Sequence, residues 1–173
     1  MDLNNHESRA DAPDDERVDD DRVVVGVDGS AASIAALRYA ARIADAFDAP
    51  LEAVTTWTYP PFMDAYTIAG WSAEDDAERL LDDAIVEAFA SNPPQRLLRN
   101  VLAGPAAATL VDVSRRAGML VLGNRGHGGF VGLLLGSVSA ACAAHAKCPV
   151  LIVHGDGPAP CFPRDAESES DES

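Results

Sequence analysis

The apolar positions of this chain fall into short β-branched runs that alternate with longer stretches of helical spacing. Arg22 to Val27 (RVVVGV) is a continuous apolar run, the pattern of a strand covered on both faces of a parallel sheet. Asp28, Gly29 and Ser30 end it. Apolar residues then recur at Ile34, Leu37, Ala41, Ala44 and Phe47, with Arg38, Arg42 and Asp45 between them. That spacing predicts a helix with a charged outer face, capped by Ser30 or Ser33.

Leu51 to Trp57 (LEAVTTW) predicts a second strand, and the Pro- and aromatic-containing stretch that follows, TYPPFMDAYTIAGW, has loop character. This stretch reads equally as a lid over a ligand and as packed surface. A second helix starts at the Ser72 cap, with Glu74, Asp75 and Asp76 at its positive end and Leu81, Ile85, Ala88 and Phe89 on one face. It ends near Ser91, before Pro93 and Pro94. Leu97 to Leu102 is a third, weaker strand; Gly104-Pro105 opens a third helix that stops at Gly118, a place for positive φ. Met119 to Leu122, a short helix from Ser137 to Lys147, and Val150 to Val153 complete the order βαβαβαβαβ. Such alternation predicts an α/β fold, a parallel sheet wrapped by helices through right-handed crossovers.

Composition sharpens the domain limits. The 173 residues are 47% hydrophobic, enough for one core, and the net charge is −15. Residues 1–22 hold nine acids against three arginines, and residues 155–173 six acids against one arginine, leaving a net of only −4 for 23–154. The expected organisation is therefore a disordered acidic tail over 1–21, a globular domain over 22–154 and a second disordered acidic tail over 155–173. One lysine against twelve arginines fits adaptation to high salt and a GC-rich genome equally well. The acidic surface disfavours nucleic acid, and the acidic, polar first twenty residues and the lack of a long apolar run argue against a signal peptide or membrane span, so the expectation is a cytoplasmic protein. Cys142, His145 and Cys148 have ligand-like spacing, but on a helix the outer pair falls about 240° apart around the axis, which argues against a metal site.

The segment Gly123 to Ser137 (GNRGHGGFVGLLLGS) places six glycines in fifteen residues between a strand and a helix. In open α/β sheets ligands bind outside the carboxyl ends of the strands, where the strand order reverses. If the order is 3-2-1-4-5, this segment faces the loop Gly26-Val27-Asp28-Gly29-Ser30 across one crevice. Gly123 and Gly126 then let main-chain amides approach an anion. Gly136 and Ser137 offer N–H groups and a hydroxyl where a helix dipole favours phosphate, Arg125 adds positive charge, and Asp28 suits the hydroxyls of a ribose. His127 reads as solvent-exposed, and Ser30 and Ser33 as caps rather than nucleophiles.

The segments RVVVGVDGS and GNRGHGGFVGLLLGSVSAACAAHAKCPVLIV resemble the universal stress protein family, in its ATP-binding branch, whose pattern Gly-2x-Gly-9x-Gly-Ser/Thr is met by Gly123, Gly126, Gly136 and Ser137. The resemblance covers about 22–154. It implies a five-stranded parallel sheet in the order 3-2-1-4-5 with helices on both faces, a Rossmann-like, adenine nucleotide alpha hydrolase-like fold. It also implies ATP with Mg²⁺ or Mn²⁺ in the crevice, and a homodimer through the last strand, Val150 to Val153. Carried over by position, Asp28 would hold ribose, the backbone near Gly26, Val27 and Thr56 would meet adenine, and Gly123, Arg125, Gly126, Gly136, Ser137 and Val138 would cradle phosphates and ribose. The expected function is a nucleotide-dependent stress-response switch with at most slow ATP hydrolysis. The chain departs from the family at Gly118, where members often carry an acid, and at Thr55, where they often carry histidine. Two other readings stand beside this one: a ligand-free dimeric interaction module, and a nicotinamide-dependent enzyme suggested by Gly126, Gly128 and Gly132, whose spacing is one residue too long for a dinucleotide fingerprint.

Overall fold

A computed structural model of the chain describes residues 21–59, 72–127 and 134–155. The stretch expected as lid or packed loop after Tyr59 lies outside the described residues, as do nearly all of both acidic tails and the glycines at 128, 129 and 132. Five strands, β1 (Val23–Gly26), β2 (Leu51–Trp57), β3 (Leu97–Ala103), β4 (Met119–Gly123) and β5 (Val150–Val153), alternate with four helices, α1 (Ala31–Ala46), α2 (Ala73–Phe89), α3 (Ala106–Val113) and α4 (Ser137–His145). All strand pairings are parallel and the sheet order is β3-β2-β1-β4-β5.

Strand parity assigns the two faces. Val23, Val25, Leu51 and Ala53 pack under α1 and α2, against Leu37, Ala40, Ile43, Leu81 and Ile85. Val24, Val54, Leu120 and Leu122 point the other way, to Leu110 of α3 and Cys142 of α4. The first face is much the heavier: α1 buries eight residues and α2 five, whereas α3 buries Leu110 alone and α4 only Ser139 and Cys142. On the lighter face Glu52 is 5% exposed within β2. It is paired with Arg22 at 2.9 Å and accepts a bond from Asn100 Nδ2 at 2.9 Å.

Several local expectations change. Phe47 does not join the core face of α1. It follows the last helical residue as its C-cap and is 73% exposed, while Ala40 and Ile43 continue the buried stripe. Helix α3 stops at Val113 and closes with a 3₁₀ turn, Ser114–Arg116. Gly118 does not take positive φ; among the described residues the glycines that do are Gly29 and Gly104. Close approach explains Gly118 instead, since a Cβ there would lie 3.0 Å from the Asp21 carbonyl oxygen.

Candidate functional site

Strand order reverses between β1 and β4, and a cavity of about 320 Å³ opens at their carboxyl ends. Gly26, Val27, Asp28, Thr56, Gly123, Arg125, Gly126, Gly136, Ser137 and Val138, the ten residues expected from the sequence, all line it. Four elements bring them together. The loop from β1 to α1 supplies Asp28, the end of β2 supplies Thr56, the loop after β4 supplies Arg125 and Gly126, and the first turn of α4 supplies Ser137 and Val138.

Hydrogen bonds hold this junction. Ser30 caps α1 by accepting from Ser33 N at 3.2 Å. Both its hydroxyl, at 2.6 Å, and its amide, at 3.0 Å, donate to Oδ1 of Asp28. One carboxylate oxygen is thus anchored to the start of α1. Burial works against the charged carboxyl, but the bonds from Ser30 and Ser33 and the nearby His127 outweigh it and hold Asp28 below its ordinary pKa. Asp28 is therefore an anchored acceptor at neutral pH. On the other side, Gly136 N donates to Asn124 O at 2.7 Å and Ser139 Oγ to Gly123 O at 2.7 Å, fixing α4 against the end of β4. Gly136 is the N-cap of α4 and contributes no side-chain cap, so the positive end of the helix is open to the cavity.

The three motif glycines have different physical reasons. A Cβ on Gly123 would fall 2.7 Å from the carbonyl carbon of Ala32, so this glycine lets β4 pass against the first turn of α1. Its expected role, opening amides to an anion, is not what requires glycine there. A Cβ on Gly126 would press into Oδ2 of Asp28. Around Gly136 nothing is nearer than 3.5 Å, and its φ of −72° is open to any residue; only there is the missing side chain a matter of leaving space in the cavity.

The cavity wall also contains Ser33, Val54, Thr55, Leu80, Ala106, Leu110, Leu122, His127 and Ser139. His127 is exposed, as expected, and sits at the mouth. The apolar residues carry no motif. Their signal is position alone: Leu122 stands next to the carboxyl end of β4 and Val54 midway along β2, opposite the last residue of β1, whereas Leu80 is a helix residue whose neighbour Leu81 is the one that fills the core. Among the described residues no group of three or more His, Cys, Asp or Glu is placed to hold a metal ion, and no helix is long and apolar enough to cross a membrane.

Comparison with known proteins agrees with this architecture. The model of the universal stress protein family matches residues 21–154. A universal stress protein of Mycobacterium tuberculosis (strain H37Rv) is 35% identical over 144 residues, covering 78% of this chain and 48% of its own length. One from Mycolicibacterium smegmatis is 34% identical over 145 residues with the same coverage, 78% and 48%. The chain spans about half the length of the curated relatives it matches. Among solved structures, a universal stress protein in complex with cAMP is 31% identical with a TM-score of 0.56, covering 78% of this chain and 97% of that one. UspA from Lactobacillus plantarum, at 24% identity, TM-score 0.58 and coverage of 77% and 97%, shares the fold. The sheet order, the matched span and these identities together make this chain a member of the universal stress protein family.

Proposed function

We propose that the cavity between β1 and β4 binds an adenine nucleotide, ATP accompanied by Mg²⁺ or Mn²⁺, and that binding serves a nucleotide-dependent switch in a cytoplasmic stress response. The observation that carries this is the convergence of all ten expected site residues, the four of the motif among them, on one cavity that also holds an anchored carboxylate and an open helix N-terminus. Ribose hydroxyls need an acceptor, which Asp28 supplies. Phosphates need donors and positive potential, which the amides of α4 and Arg125 supply. A divalent ion has no protein cluster among the described residues to hold it, so it would arrive ligated by the phosphates.

The site is built for holding a nucleotide rather than for fast hydrolysis. Asp28 is tied to Ser30 and held in its charged form, a poor general base, and among the described residues the lining provides no nucleophile–base pair aimed into the cavity. A nucleotide would instead bridge the β1–α1 loop and α4, and so favour whichever arrangement brings them together. A second reading is favoured by the relative bound to cAMP and by a volume near the small end for ligand sites: a cyclic mononucleotide. Calorimetric titration with ATP, ADP, cAMP and NAD, and mass spectrometry of what the purified protein releases on denaturation, test both. ATP binding tighter than cAMP and NAD supports the first reading; tighter cAMP binding supports the second; saturable binding of none removes both.

The proposal includes a homodimer through β5. This strand lies at the edge of the sheet with Val150, Leu151 and Ile152 only half-buried. Sedimentation equilibrium should give a dimer that Ile152→Lys converts to monomer. An unchanged dimer would place the interface elsewhere.

A further inference from the structure

We infer that residues 156–173 of this same chain dock on the positive end of the cavity and compete there with the phosphates of the nucleotide, so that the site is held partly closed by its own acidic segment. This rests on the nucleotide reading above and specifies how that site is regulated.

The end of β5 delivers the chain to the rim of the cavity. Asn124 and His154 follow the last ladder pair, Gly123 and Val153; Asn124 N donates to Val153 O at 2.7 Å, and Asn124 Nδ2 lies 3.0 Å from His154 Nδ1. Gly155 then lies against the first turn of α1, where a Cβ on it would stand 3.1 Å from Ala32 Cα and 3.2 Å from Ala32 N. Ala32 is also the residue that Gly123 passes against, and Ser30, two residues before it, anchors Asp28. Residue 156 therefore starts beside the β1–α1 loop, at the carboxyl end of the sheet where the cavity opens.

Charge makes the match. Arg125 and the first turn of α4, whose N-cap Gly136 contributes no side-chain cap, give the cavity an end suited to an anion. Gly136 N donates to Asn124 O at 2.7 Å, so this end stands next to the residue that β5 is bonded to. The segment carries Asp156 at its start and then Asp165, Glu167, Glu169, Asp171 and Glu172. The nine residues 156–164 reach at most about 30 Å, enough to bring the later carboxylates to the cavity mouth. A carboxylate is a weaker anion than a triphosphate, but a group on a short tether is present at an effective concentration in the millimolar range, so contacts of millimolar strength are occupied. ATP then binds only the fraction of molecules whose site is open, and its apparent affinity falls in proportion. The other acidic segment joins the fold at the opposite end of the sheet, where Val23 N donates to Pro50 O at 2.9 Å just before β2.

The test is calorimetric titration with ATP and with adenosine, in about 0.15 M NaCl to screen distant charges, of the wild-type chain and two variants of the whole chain, each first checked by thermal melting. One carries Asp165→Asn, Glu167→Gln, Glu169→Gln, Asp171→Asn and Glu172→Gln. The other removes the same charge from the opposite end, with Asp14→Asn, Asp15→Asn, Glu16→Gln, Asp19→Asn and Asp20→Asn. The first variant should bind ATP about threefold to tenfold tighter than wild type, with adenosine unchanged. Its advantage should vanish near about 1 M salt, and the second variant should differ from wild type by less than about twofold. Unchanged ATP affinity in the first variant overturns the proposal, as does a gain matched by adenosine. An equal gain in both variants overturns it too, since it would show only the bulk repulsion of an acidic chain. If none of the three proteins binds ATP, the nucleotide reading itself falls and this proposal with it.

Discussion

Replacing Gly136 by aspartate should make the protein more stable and a worse nucleotide binder at the same time. The backbone of Gly136 is already that of an N-cap, φ −72° and ψ 163°, with no side-chain cap on α4 and no acidic residue in its first turn. A Cβ fits, since the nearest atom is Arg125 Cα at 3.5 Å. An aspartate there accepts from the free amides of the first turn, a gain over glycine of a few tenths of a kcal/mol. Its charge adds about 0.3–1 kcal/mol at the positive end of the helix. Together these amount to a rise in Tm of roughly 2–5 °C for a domain of this size. The same carboxylate occupies the amides offered to phosphate and repels it: about 3 kcal/mol at a separation of 5 Å in a medium of effective dielectric 20, less where salt screens it. ATP affinity should therefore fall at least about tenfold. Scanning calorimetry and isothermal titration measure the two quantities, and Gly136→Asn separates them, capping without charge and weakening ATP less. A Gly136→Asp protein that melts higher yet binds ATP as wild type does would refute the argument, because the helix terminus would then be capped and still not be where the phosphates go.

Gly123→Ala should lose stability by about 1–3 kcal/mol in urea denaturation, since its Cβ meets Ala32 backbone that cannot rotate away. Gly126→Ala should instead displace the Asp28 carboxylate and weaken ATP binding with a smaller change in denaturation midpoint. Because the folded pKa of Asp28 is depressed, its contribution to stability is complete above the unfolded value near 4 and is lost as pH falls through the lower folded value. Asp28→Asn should accordingly show a shallower acid-side loss of stability below about pH 4 than wild type, measured as denaturation midpoint against pH. Arg22→Met, which leaves Glu52 buried and uncompensated, should cost about 3 kcal/mol, and adding Glu52→Gln should recover much of it; additive losses in the double-mutant cycle would show the pair to be uncoupled.

The sequence carried most of this architecture because strand burial and helix amphipathicity leave different periods. β2 and β5 run between the expected residues, and Ser72 caps α2 as its position before three acids implies. What it did not carry are facts that exist only once elements touch. Gly123 looks like a ligand-loop glycine until α1 is seen against it. Gly118 looks like a helix stop until Asp21 passes over it. Phe47 fits the helical period, yet the helix ends one residue before it. The motif residues were legible since their spacing is fixed by a strand, a loop and a helix start. Leu80 and Leu110, contributed by helices remote in sequence, leave no local mark of facing a cavity.

The unequal weight of the two helical layers has a dynamic corollary. Opening free energy follows buried apolar contact, so amides of α3 and α4 should exchange with solvent deuterium through smaller, more frequent excursions than those of α1 and β2. The cavity joins the tightly held half of the molecule to the loosely held one. Whatever fills it ties the looser half down, so its protective imprint in an exchange experiment should appear on α4 far more than on α1.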